Sequence, residues 1–549
     1  MTALAQTENM DVSAKTLLQI TASARTKLAE LLAEAGDEAS AIRVFVSGGG
    51  CGGMAYGMTY ADQTTEYDHV IETPELKVVV DAVALNYLHG AEIDFTADSL
   101  NPAFVFRNAY EAPKTGGGGC GSGGCGGGGC VAKPRVLLIA PRDSYRTAPY
   151  IAAARKLGVD LLIASEGKHT LCGHDVPGVQ VDLQDTSVSL QAVLMAAQTQ
   201  PFLGVIGTDD ASTEFAMQAS MRLQLPHNPL LSVRLSRRKD LARTHLARAG
   251  VPVPRHWKIN LTGPLAPQLT DVTFPCVAKP VALSASRGVI RADDRAQLEK
   301  AIGRIVSMLA DVPEREERET LLIEEFISGA EVAVEGLLRD GHLEILAIFD
   351  KPDPLDGPYF EETYYTTPSR HAPDIQAQIV ARVAEACAAY GLCEGPIHAE
   401  CRINHAGVWI LEVAARTIGG LCGRLLRFGT GYGLEELVLL HTLGQRPDTL
   451  REAGGAGVLM IPIPQAGILR RVEGVLVAQR VPYIEEVVID VREGYELVPL
   501  PEGSSYLGFI FARAPSPAEA EAALREAHAS LRVVVAPLWK GGLVHAAAS

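Results

Sequence analysis

Leucines at 28, 31 and 32 share one face of a helical spacing from Ala22 to Ala35, and Gly36 follows as a stop. Ile42-Arg-Val-Phe-Val46 then alternates as a strand, and Met54 to Tyr60 reads as its antiparallel partner across the Ser47–Gly53 turn. Leu76–Val80, Ala91–Thr96 and Phe104–Phe106 read as further strands, with a helix near Ala82–Leu88. The pattern changes after residue 130. Arg135-Val-Leu-Leu-Ile-Ala140 is a buried-strand run, Pro149–Leu157 a helix, and Asp160–Ala164 and Leu203–Gly207 further strands. Strands alternating with helices imply a parallel sheet, whose binding groups sit at the carboxyl ends of strands. Arg142 and Asp209 stand at such ends.

The next stretch carries several signals in order. Arg237-Arg-Lys239 opens a helix that ends at Ala249-Gly250 before Val-Pro-Val-Pro. Phe274-Pro-Cys-Val-Ala-Lys279-Pro is a strand ending in a lysine, and Ser284-Ala-Ser286-Arg-Gly288 is a small-residue loop suited to laying N–H groups against phosphate. Leu321-Leu-Ile-Glu324-Glu325-Phe-Ile327-Ser-Gly-Ala-Glu331 turns from apolar to acidic and resumes as a strand over Val332–Leu337. His398-Ala-Glu400-Cys-Arg-Ile-Asn404 and Val408-Trp-Ile-Leu-Glu412-Val form a hairpin joined by His405-Ala-Gly407. Pairing Asn404 with Val408 places Glu400 opposite Glu412. Opposed like charges are destabilising unless a cation lies between them, and hard oxygen donors suit magnesium. Ile375, Ile379, Val383 and Cys387 form a helix core stripe. Farther on, Gly457–Ile463 and Glu485–Asp490 read as strands, and Ser516-Pro-Ala-Glu519 caps a helix running to Leu531.

The composition is that of a globular protein, and 549 residues imply several domains. A net charge of −16 argues against nucleic-acid and acidic-membrane partners. There is no apolar run of eighteen residues, and Met1–Val12 does not read as a signal peptide. Ten cysteines in a chain of this length are not a disulfide scaffold, so a reducing cytoplasm is expected. Six of them (172, 276, 387, 393, 401 and 422) sit among apolar neighbours and read as small buried hydrophobes.

The other four stand in glycine. Gly116–Cys130 contains eleven glycines and three cysteines, Cys120, Cys125 and Cys130, and Cys51 lies in Gly48-Gly-Gly-Cys-Gly-Gly-Met. Glycine lets a backbone wrap closely round a metal core, and thiolates suit iron–sulfur clusters. The order of strand, glycine–cysteine turn, Gly90-Ala-Glu-Ile-Asp-Phe and Cys-rich tail resembles the A-type (HesB-like) iron–sulfur carrier family over about residues 18–125. That resemblance implies Cys51, Cys120 and Cys125 as ligands of a 2Fe–2S or 4Fe–4S cluster. The tail departs from the family's Cys-Gly-Cys, because four residues separate Cys120 from Cys125. Three thiolates cannot complete four-coordination, so a homodimer, an outside ligand or Cys130 supplies the rest. Zinc or bare iron is the alternative metal.

The ordered series from Lys239 to Arg416 resembles the ATP-grasp carboxylate–amine ligases, and the L-amino acid ligases most closely, over roughly 135–540. The resemblance implies that Lys239 and Lys279 hold the ATP phosphates and that Ser284, Ser286 and Gly288 cover them. It gives Glu324, Glu325 and Ile327 to the adenine hinge and Glu331 to the ribose. Glu400 and Glu412 become ligands for Mg2+ or Mn2+, and Arg416, with Lys279, serves catalysis at the acyl phosphate. Ala414 stands where the family often has asparagine. Glu361, Arg370 and Arg424 are candidates for the small-molecule carboxylate and amine substrates.

The expected fold is therefore multidomain, mixed α+β and α/β. A small β-rich carrier domain (1–115) and a Gly/Cys arm (116–130) precede a parallel α/β pre-grasp domain (131–230). An ATP-grasp domain (231–445) and an accessory α+β domain (446–549) complete the expected order. The function implied is ATP-dependent amide formation fused to a cluster-binding module. The alternative is a cluster assembly protein, serving an apo-protein or a cluster donor, whose ATP-grasp half binds nucleotide without ligating.

Overall fold

A computed structural model of the chain describes residues 18–35, 40–50, 53–61, 64, 68–80, 91–96, 103–107, 133–142, 144–166, 176–447 and 453–537. Cys51, Cys120, Cys125, Cys130, Cys172 and the helix expected near Ala82–Leu88 lie outside these residues. The described residues form two compact units. One holds those up to Leu138 with Val159–Gln200, and the other holds Ile139–Gly158 with Pro201 onward.

In the first unit, Ala41–Gly50 pairs antiparallel with Gly53–Ala61 and parallel with Leu76–Val80. His69–Thr73 completes that sheet, while Leu18–Ile20, Ala91–Thr96 and Ala103–Arg107 make a second. The helix Ala22–Ala35 contributes Leu28 to a core with Val44, Val78, Ile93 and Phe104. Asp160–Ser165 pairs parallel with Gly178–Gln180, a strand beyond those expected.

The second unit is built on an eight-stranded sheet. Its strands run in the order Gly407–Ala414, Gly395–Asn404, Ala330–Arg339, His342–Lys351, Tyr364–Thr367, Gly455–Ile461, Gly508–Ala514 and Ile484–Ile489. The sheet is continuous across position 445, because Tyr364–Thr367 pairs with Ala456–Leu459. A smaller sheet joins His256–Asn260, Thr320–Glu325, Cys276–Pro280 and Ile290–Ala292, backed by the helix Arg295–Leu309.

Strict alternation sorts the large sheet into two faces. Val332, Val334, Ile397, Ala399, Cys401 and Val413 pack with Ile379, Val383 and Cys387 of the helix Pro373–Tyr390. Cys387 is thus structural, and burial pushes its thiol up to about 12. Cys276, Cys401 and Cys422 are also buried, but Cys393 is only half-buried and departs from that expectation. The intervening residues (Glu331, Glu335, His398, Glu400, Arg402) belong to the other face. The helix Pro517–Ala529 begins as the sequence predicts, with Ser516 Oγ accepting from the Glu519 N–H at 3.2 Å.

Candidate active site

The charged face of the large sheet is a grid set by register. Glu400 pairs with Glu412 and His398 with Ala414 on one side. On the other, Glu400, His398 and Arg402 pair with Ala333, Glu335 and Glu331. The hairpin reaches this register differently from the expected route. Asn404 pairs with Gly407, not Val408, leaving a two-residue connection. That would turn Glu412 to the apolar face, since a one-residue slip reverses every side chain. An irregularity between Glu400 and Cys401 leaves Leu411 unpaired and restores Glu412 to the charged face. The Leu411 carbonyl is held by the Arg243 guanidinium.

This face, the small sheet and the loops between them line a cavity of about 840 Å³. That volume is at the upper end of small-molecule sites, which run from roughly 300 to 1,000 Å³. Lys239, Lys279, Ser284, Ser286, Glu324, Glu325, Ile327, Glu331, Glu400, Glu412 and Arg416 all line it. Gly288 does not, and its N–H donates to the Pro501 carbonyl at 2.9 Å. At φ +72°, a Cβ there would meet Pro280 Cγ at 2.7 Å, so glycine is required.

The ionic groups that converge on the cavity are largely paired. Lys279 Nζ lies 2.6 Å from Glu324 Oε2, and Arg243 holds the other oxygen. Burial opposes ionisation of Glu324, yet Arg243 and Lys279 outweigh it and hold the carboxyl at about 2. Glu324 therefore anchors a lysine, and Glu325, Phe326 and Ile327 line the cavity beside it. Lys239 Nζ contacts Glu412 Oε1 at 3.3 Å and the Leu283 carbonyl at 3.0 Å. Arg416 Nε lies 3.1 Å from Asp210 Oδ2.

Lys351, absent from the sequence expectations, joins Glu331 (2.8 Å), Glu400 (3.0 Å) and Glu362. Burial opposes its charge, but the three carboxylates raise its pKa well above the ordinary lysine value. Arg402 takes the other Glu331 oxygen at 2.8 Å. His398 Nδ1 meets Glu335 Oε1 at 2.6 Å. Burial would lower the imidazole's pKa, but Glu335 and Glu400 push it up to about 9. Glu335 stands as a lone charge inside the run Val332–Leu338, whereas Lys351 closes its strand beside Asp350 and carries no such local signal.

Three candidate substrate residues stand away from the cavity lining. Arg370 pairs with Glu521 at 2.8 Å and Arg424 with Glu486 at 2.5 Å, while Glu361 yields its place to its neighbour Glu362. Arg142 is also outside the lining, whereas Asp209 is in it with Arg146, 3.3 Å away. Gly419 and Gly420 line the cavity.

Glu400 and Glu412 offer opposed carboxylates on one cavity wall, neutralised only in part by Lys239, Lys351 and His398. That donor set fits a hard divalent cation. Glu331, Glu362 and Glu400 bring carboxylate oxygens within 4.8 Å of one another, but Lys351 already fills that cluster.

Comparison with known proteins agrees with this organisation. Residues 17–116 match the iron–sulphur cluster biosynthesis family model. Residues 272–424 match the ATP-grasp domain, and 459–536 match L-amino acid ligase C-terminal domain 2. The iron–sulfur cluster insertion protein ErpA 2 of Methylococcus capsulatus is 46% identical over 98 residues, covering 18% of this chain and 75% of that protein. A putative cluster insertion protein ErpA of Nitrosomonas eutropha is 42% identical over 101 residues, covering 18% and 84%. The structure of an L-amino acid ligase from Bacillus licheniformis superposes with a TM-score of 0.65 at 26% identity, covering 74% of this chain and 99% of that one. Phosphoribosylglycinamide synthetase from Anaerococcus prevotii shares the fold at a TM-score of 0.53 and 14% identity, covering 74% and 100%. The chain therefore belongs to the iron–sulphur cluster biosynthesis family over residues 17–116, and continues as an ATP-grasp ligase with an L-amino acid ligase C-terminal domain.

Proposed function

We propose that the ATP-grasp part joins the carboxylate of an amino acid to an amine, through an acyl phosphate. The observation that carries this reading is the convergence of Lys239, Lys279, Glu400, Glu412 and Arg416 on one cavity. An oxygen of the substrate carboxylate bonds to the γ-phosphorus of ATP as the bond to the bridging oxygen breaks, and ADP leaves. The amine nitrogen then bonds to the acyl carbon and loses a proton, and inorganic phosphate departs.

Phosphoryl transfer of this kind depends on positioning and charge neutralisation. Lys239 and Lys279 hold the phosphates, and Glu324 fixes where Lys279 points. The Ser284–Gly288 loop covers the phosphates, Glu325–Ile327 receive adenine and Glu331 the ribose. Arg416 is kept charged by Asp210 and steadies the acyl phosphate. Glu362 takes the role expected of Glu361, facing a substrate ammonium. Mg2+ or Mn2+ held by Glu400 and Glu412 supplies positive charge against the transferred phosphoryl group.

Residues 17–116 are assigned the handling of an iron–sulfur cluster, with an apo-protein or a cluster donor as partner and a homodimer as the assembly. No described helix is long and apolar enough to cross a membrane. The test is ADP release across a panel of amino acids and amines, with the amide identified by mass spectrometry. Tight ATP binding without turnover for any pair would overturn the ligase reading in favour of the non-ligating assembly protein.

A further inference from the structure

The loop assigned to the ATP phosphates holds a shape that its own residues do not favour. Ala285 and Ser286 take φ +55° and +54°, and Gly288 follows at +72°. The left-handed region is costly for residues that carry a Cβ, so contacts outside the loop must secure it. Inside the loop, the Arg287 N–H donates to the Ser284 carbonyl at 3.2 Å. Among the described residues, one hydrogen bond ties Ser284–Gly288 to another part of the chain. It is the Gly288 N–H donating to the Pro501 carbonyl at 2.9 Å.

Pro501 lies in the connection Pro499–Tyr506, within the L-amino acid ligase C-terminal domain 2. The Gly503 N–H closes that turn on the Pro499 carbonyl at 2.9 Å. Between them, Glu502 accepts two hydrogen bonds from Arg304, Nε to Oε1 and Nη2 to Oε2, the second at 2.7 Å. Pairing of two donors with two acceptors fixes direction as well as distance. Arg304 also donates to the Tyr359 hydroxyl. It stands on the helix Arg295–Leu309, which backs the small sheet that carries Lys279. The pair thus joins the support of the phosphate lysine to the carbonyl that holds Gly288. Neither Arg304 nor Glu502 lines the cavity, but Ser504, Ser505 and Tyr506, next along the chain, do.

We propose that Glu502 positions the phosphate loop: it grips Arg304, keeps the Pro501 carbonyl on the Gly288 N–H, and so lets the C-terminal domain complete the ATP site. The inference rests on the assignment of Ser284–Gly288 to the phosphates under Proposed function.

Charge reversal in the full-length chain tests it, with Arg304→Glu, Glu502→Arg and the double variant that restores the pair in the opposite sense. One readout is hydrogen exchange of the Gly288 amide without nucleotide. The other is calorimetric binding of a non-hydrolysable ATP analogue with Mg2+, with adenosine as control. Each single variant should speed Gly288 exchange and weaken analogue binding about five- to tenfold, the scale of a bidentate surface pair replaced by like charges. Adenosine binding should stay at wild type, because Glu325–Ile327 are untouched. The double variant should recover both readouts. Glu502→Gln, which keeps the shape and removes the charge, should speed the same exchange and decides if a reversal fails to fold. Wild-type exchange in the single variants, a double variant no better than they are, or adenosine weakened as much as the analogue overturns the proposal. Gly288 exchange that follows the pair in a chain binding no ATP analogue would keep the positioning role and remove the phosphate assignment. Analogue binding indifferent to the pair would do the reverse.

Discussion

Lys279 and Arg243 grip the two oxygens of one carboxylate, that of Glu324, with Lys279 Nζ at 2.6 Å. Arg243 and Glu324 are each about 1% exposed. Glu324→Gln therefore leaves a guanidinium buried without its counter-ion, which typically costs about 3–5 kcal/mol. The pH dependence follows from the depressed carboxyl. Glu324 titrates at about 2 in the folded chain against 4.5 ordinarily. Its contribution is present above about 4.5 and is lost as pH falls toward 2. Urea unfolding of wild type and Glu324→Gln should differ most at neutral pH and converge on acidification. A gap that stays constant down to the acid limit would remove Glu324 from this role.

Lys279→Met separates chemistry from folding at the same cluster. Glu324 keeps Arg243, so the buried pair survives and the melting temperature should move little. The phosphate-facing cation is gone, and ADP release should fall about 100-fold or more, the scale for losing one preorganised charge contact. A Lys279→Met enzyme with unchanged kcat/KM would place the phosphates elsewhere in the cavity.

Alternation makes a prediction that contrasts the two faces of one strand. Ile397 is fully buried in the apolar core, whereas Glu400 lines the cavity. Ile397→Ala should reduce stability by about 2–5 kcal/mol, as expected for a large-to-small core change, and leave turnover at low temperature near wild type. Glu400→Gln should leave the unfolding free energy within about 1 kcal/mol of wild type and raise the Mg2+ or Mn2+ concentration needed for half-maximal ADP release at least tenfold. Both effects falling on the same observable would mean that the faces are not divided as the ladder indicates.

The same strand explains what was legible beforehand. Period-two spacing in Ile397–Asn404 is local, so the face bearing Glu400 could be read without coordinates. The ordered lysines, carboxylates and Arg416 also converge on one cavity as anticipated. The irregularity beside Glu400 was not legible, because nothing in Trp-Ile-Leu-Glu412 marks an unpaired residue. The correct pairing of Glu400 with Glu412 was reached from a register one residue off, and Leu411 absorbs the difference. Lys351 and Glu335 escaped notice because their meaning lies in cross-strand partners far away in sequence. Arg370 and Arg424 pair with Glu521 and Glu486 outside the cavity lining, partners that local sequence does not indicate.

The glycine–cysteine arm calls for a spectroscopic prediction. Cys51, Cys120 and Cys125 are the thiolates implied for a cluster, and a thiolate-ligated cluster absorbs visible light. Anaerobically purified chain should be brown, and Cys51→Ala, Cys120→Ala and Cys125→Ala should each bleach it. Cys130→Ala distinguishes the source of the fourth ligand: colour is lost if Cys130 supplies it and kept if a second chain or an outside ligand does. Lys279→Met should keep the wild-type absorption while losing ADP release, since the thiolates and the phosphate lysine serve different chemistry. A colourless chain after anaerobic reconstitution with iron and sulfide would exclude the cluster, and stoichiometric zinc in that protein would identify the metal these thiolates hold instead.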